Sequence, residues 1–200
     1  MIYFIVFICG AIVMSYEILG SRVLAPNFGS SVFVWGSLIS VFLAGLSAGY
    51  YFGGKVADIR ASTRKLALIV LIPGIMFVSF PLYGYVISDW VFDMELGIRM
   101  SPLVASMILF FIPSVFLGMV SPYTVKLMMC SLHTSGATVG SLYALSTMGS
   151  IVGTLLTSFY LITIAGVQKL IMAQGIILIA LTIPLFLMNA SCAVENKKEQ

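Results

Sequence analysis

Six stretches of this chain, at about 2–19, 32–53, 66–87, 103–121, 141–164 and 170–188, are apolar and almost free of charge. A helix that spans a membrane needs about 20 consecutive, mostly apolar residues. Inside hydrocarbon, every backbone N–H and C=O must be satisfied within the protein. Together these facts predict an all-α membrane protein with six transmembrane helices, whose short connections pack neighbours antiparallel. Composition agrees: 8% of the 200 residues are charged, against about 25% in a soluble domain. A net charge of +3 on scattered basic residues gives no nucleic-acid surface. The first residues lack a basic leader and a cleavage site, so they are expected to remain as the first helix. The chain divides into a transmembrane domain, residues 1–190, and a polar cytoplasmic tail, residues 191–200.

The basic residues orient the bundle. With the N-terminus inside, the inner segments hold Lys55, Arg60, Arg64, Lys65, Lys126, Lys197 and Lys198, and the outer ones hold Arg22, Arg99 and Lys169. Basic residues concentrate on the cytoplasmic side of membrane proteins, so both termini are expected inside. The acidic loop with Asp89, Asp93 and Glu95, beside Trp90, then faces outward.

"GSLISVFLAGLSAG" (36–49) and "GSLYALSTMGSIVG" (140–153) share one pattern: Gly-Ser-Leu, six residues, Gly, three residues, Gly. The same shift of 104 positions lays Arg22 on Lys126 and the first three helices on the last three. Three is odd, so the copies cross the membrane in opposite senses, the pattern of a 3+3 inverted repeat. Gly45, Gly49, Gly149 and Gly153 are small enough for close helix contact.

Several short motifs carry chemistry or shape. "GGKVADIRASTRKL" (53–66), with Gly54, Asp58 and Arg64, resembles the loop signature of the major facilitator superfamily, with Ile59 where Arg is usual and Ser62 where Gly is usual. Asp58 is expected to cap a helix or to pair with Arg60 or Arg64, as a structural latch. "SPYTVKL" (121–127) is expected to end the fourth helix, with Pro122 opening the backbone ladder and Lys126 snorkelling to the interface. His133 reads as a solvated loop residue, and Cys9, Cys130 and Cys192 have no redox or metal spacing. No cofactor or metal is implied.

Glu17 stands near the end of the first apolar stretch, where an ionised carboxylate is costly. Two roles fit: an ion pair with Arg22 that holds the turn, or a carboxylate that faces a cationic substrate. The pair, with a wet outer cavity beside it, is the expectation. Pro26 and Gly29 impose turn geometry before the second helix.

The series Glu17, Arg22, Pro26, Gly29, Ser31 and Trp35, followed by "LAGLSAGYYFGGKVAD" (43–58), resembles the membrane domain of the spermidine-synthase-like family, a major-facilitator-like module often fused to spermidine synthase. "GSLYALSTMGSIVGT" (140–154) and "AGVQK" (165–169) extend the resemblance over nearly the whole chain. It implies half of a major-facilitator-like architecture in a bacterial or archaeal cytoplasmic membrane. It also implies a link to polyamine metabolism, with a polyamine as ligand and a separate aminopropyltransferase-like enzyme as partner. No Gly-x-Gly loop follows a strand here, so the enzyme's nucleotide pocket is not expected in this chain, and no catalytic residue carries over. The leading expectation is a module that anchors such an enzyme or moves its cationic substrate or product. A small transporter acting as a homodimer is the alternative, ahead of an intramembrane enzyme using Glu17 and Arg22.

Overall fold

The computed structural model describes residues 1–59, 61–129 and 135–187. The expectations for Arg60, Cys130, His133, Cys192, Lys197, Lys198 and the tail fall outside the described residues. The chain runs through α1 (Ile2–Phe28), α2 (Val32–Ile59), α3 (Thr63–Asp93) and α4 (Gly97–Met129). There follow α5 (Ser135–Leu156), a π-helical turn (Thr157–Leu161), the short α6 (Ile162–Ile164) and α7 (Val167–Leu187). Among the described residues, six helical stretches are long and apolar enough to cross a membrane, the fifth being α5 continued through the π turn and α6.

The helices outrun the apolar stretches that mark them. With 27 residues, α1 is about 40 Å long at 1.5 Å per residue, against about 30 Å of hydrocarbon. Once nucleated, a helix keeps satisfying its own backbone groups past the point where hydropathy falls. Consequently Pro26 lies in the last turn of α1 rather than in a loop, and Gly29, at φ 72, ends the helix. Likewise Pro122 does not end α4, which carries Pro102, Pro113 and Pro122 inside it and continues to Met129.

A proline deprives the carbonyl four residues earlier of its N–H partner. For Pro113 that carbonyl is Leu109, and the buried Tyr16 hydroxyl of α1 donates to it at 3.3 Å. The Tyr16 ring meets Phe42, Phe77, Phe80 and Phe110 with centroids 4.1–6.3 Å away. One side chain thus binds α1 to α2, α3 and α4 in the centre of the core.

The most extensive helix pairings are α2 with α4, α1 with α5, and α3 with α7. Their contacts follow the 104-residue repeat. Gly45 lies against the Phe111 carbonyl and the Val115 nitrogen, and Gly149 lies against the Phe7 carbonyl and the Ala11 nitrogen. Each of the three residues in the first set precedes or follows its counterpart in the second by 104 positions. Gly49 meets the Val115 carbonyl as Gly153 meets that of Ala11. Gly74 of α3 faces Leu178 of α7, its own counterpart, so the α3–α7 contact straddles the axis relating the halves. By contrast Gly54 meets nothing within 4 Å.

Candidate functional site

Two cavities open on the side of α1 that lies between α2 and α5. The first, about 200 Å³, lies towards the N-terminal end of the bundle and is lined by Gly10, Val13 and Met14 of α1, with Tyr50, Tyr143 and Ser146 opposite. The second, about 420 Å³, lies at the far end, where Ile18, Ser21 and Arg22 of α1 meet Trp35, Ser158 and Ile162. Residues three, four and seven apart share a helix face. On α1 the series Gly10, Val13, Glu17, Ser21 is such a stripe, so Glu17 lies between the residues that line the two cavities while lining neither itself.

Glu17 is half-buried, and among the described residues no hydrogen bond or ion pair reaches it. The expected bond to Arg22 is not formed. Because α1 continues to Phe28, five residues of helix separate the two groups by about 140° around the axis. An ion pair would have required the chain to turn before Arg22. Arg22 instead lies exposed in the far-end cavity, beside Trp35.

Asp58 does form a latch, but with a different partner. Its Oδ1 accepts from Lys126 Nζ at 2.8 Å, joining the end of α2 to the end of α4. Arg64 lies in the first turn of α3 and is not that partner. Nearby, the Ser62 N–H donates to the Tyr123 hydroxyl at 2.9 Å, and that hydroxyl donates back to the Ser62 carbonyl. The α2–α3 connection is thereby held against α4. Both ion-pair side chains are largely solvated, so the pair contributes under about 1 kcal/mol; its role is positional.

Three buried polar residues also meet within the bundle, and none was marked by sequence reasoning. Ser15 Oγ lies 2.5 Å from Thr157 Oγ1, and Gln174 Nε2 donates to Ser15 Oγ at 2.5 Å. Thr157 opens the π turn and is buried there. Gln174, an amide deep in an apolar span, was the available signal. Ser15→Ala is expected to strand both partners and to cost about 1–2 kcal/mol in detergent unfolding; an unchanged midpoint would mean that the cluster carries no stability.

At the far end a third cavity, about 380 Å³, is lined by Asn27, Phe28, Phe92, Asp93 and Glu95. Asn27 Nδ2 donates to Asp89 Oδ1 at 2.7 Å, tying α1 to α3 at its rim. Carboxylates beside aromatic rings attract cations.

No known protein family, characterised protein or solved structure matches this chain.

Proposed function

We propose that the protein is a membrane transport module that carries a cationic solute past Glu17. The observation that supports this is the unpartnered carboxylate on the α1 stripe between two cavities at opposite ends of the bundle. A membrane-embedded carboxylate with no internal partner is costly unless a cation or water reaches it. The inverted repeat supplies the mechanical part. Related halves pack through matching glycine contacts, so each can rock against the other around a central site. The acidic far-end cavity adds a place where a cation gathers before entry. The resemblance to the spermidine-synthase-like membrane domain makes a polyamine the first cation to test, and an aminopropyltransferase-like enzyme the partner that the module anchors or serves.

The test is uptake of labelled spermidine by vesicles containing the purified protein. Uptake above protein-free vesicles, saturating with concentration, is the expected result. No uptake of any polyamine, alone or with a co-purified enzyme, would end the reading.

A homodimer is favoured by one observation: α2, α5 and the π turn leave Ser40, Ser47, Thr147 and Ser158 exposed on faces that flank the cavities. A second copy placed there would remove those hydroxyls from lipid, and light scattering in detergent should then report twice the chain mass. For orientation, cysteines placed near Asp93 should label from outside intact cells, and those near Ser62 only after permeabilisation. The reverse pattern would invert the bundle.

A further inference from the structure

At one pair of corresponding positions the two halves differ in charge. At the N-terminal end, Lys126 of α4 meets Asp58 of α2 at 2.8 Å. Shifted by 104 positions, Lys126 corresponds to Arg22 and Asp58 to Ile162. Arg22 and Ile162 line the same far-end cavity, so the two positions that correspond to the ion pair also come together there. The cation is kept and the carboxylate is replaced by a hydrocarbon side chain.

We propose that this far-end cavity is an anion site, in which the carboxylate or phosphate of a ligand takes the place against Arg22 that Asp58 takes against Lys126. The lining supports that chemistry. Among the described residues that line it there is no acidic one, and Arg22 is the one charged group. Among the described residues nothing pairs with the guanidinium, whereas Arg99, also at the far end, lies over the Phe33 ring at 5.5 Å. Ser21, Ser30 and Ser158 add hydroxyl groups to the wall. A guanidinium binds carboxylate or phosphate through two parallel N–H bonds, and about 420 Å³ falls within the range of small-molecule sites. The site goes beyond the cation reading built on Glu17 and does not depend on it. An anion at Arg22 would also remove the positive charge that a cation meets on its way to Glu17.

Trp35 lines the same cavity, which gives a direct probe. With Trp90, the other tryptophan, replaced by phenylalanine, Trp35 emission is followed in lipid-free maltoside micelles at constant ionic strength. Sodium phosphate and sodium acetate are titrated first, then phosphatidylglycerol in mixed micelles. A saturable change is expected. Arg22→Gln should weaken it by about tenfold or more, and Arg22→Lys should keep part of it. Ile162→Asp should abolish it by supplying the missing carboxylate from within. Arg22 is exposed, so its variants are expected to fold and the test does not rest on Ile162→Asp. A response to the soluble anions identifies a free carboxylate or phosphate as occupant, and a response to phosphatidylglycerol alone identifies a lipid headgroup phosphate. A response that survives Arg22→Gln overturns the proposal, as does no response to any of the three.

Discussion

Alanine at Gly49 or Gly153 is expected to destabilise the protein by about 2–3 kcal/mol, the upper range for overpacking a close contact. A Cβ at Gly49 would overlap the Val115 carbonyl and approach the Gly118 Cα to 2.9 Å; at Gly153 it would overlap the Ala11 carbonyl and approach the Ala11 Cα to 2.7 Å. These obstacles are backbone atoms, so no rotamer change relieves them and the paired helices must separate. Leucine at Gly45 or Gly149, which face the same neighbours one turn away, should prevent assembly of the bundle. The control lies on the same two helices. Gly36 and Gly140 meet nothing within 4 Å, so alanine there should be neutral or stabilise by up to about 1 kcal/mol through helix propensity. Thermal unfolding in detergent separates the two sets. Equal midpoints for all four alanine variants would mean that α2–α4 and α1–α5 are not packed through these glycines.

The second large effect concerns function. Glu17→Gln should lower polyamine uptake by about ten- to a hundredfold, the worth of a charge-assisted contact of 1.5–3 kcal/mol. Its unfolding midpoint should stay the same or rise, because the substitution strands no arginine and removes a charge from the span. Arg22→Gln should leave stability unchanged, and the double variant should restore nothing. A loss of stability in Glu17→Gln that Arg22→Gln repairs would instead reinstate the ion pair predicted from the sequence. Full uptake by Glu17→Gln would remove the carboxylate from the transport path.

Much of the Glu17 neighbourhood was open to sequence reasoning, but its pairing was not. The carboxylate is conspicuous in an apolar stretch, and Arg22 follows closely, so a turn between them was a fair expectation. Hydropathy alone placed the helix end near residue 19, whereas α1 runs to Phe28. Those extra turns carry Arg22 around the helix and into the far-end cavity. Asp58 shows the same limit. Its role as a latch was readable from the loop motif, but its partner, Lys126, comes from a helix that is distant in the chain.

By itself the sequence determined the class, the six spans and the repeat. Hydropathy over about 20 residues is a local sum that the membrane selects directly, and the glycine pattern recurs at a constant shift of 104. Tertiary structure decided which side chains meet. It set Tyr16 under the carbonyl freed by Pro113 and joined Ser15 to Thr157 and Gln174. It also left Glu17 and Arg22 apart. Such pairings depend on the rotation and axial offset of whole helices, and those are fixed by close packing at a few small residues. A single residue of extra helix turns a side chain by about 100°, so partners cannot be read from proximity in the chain.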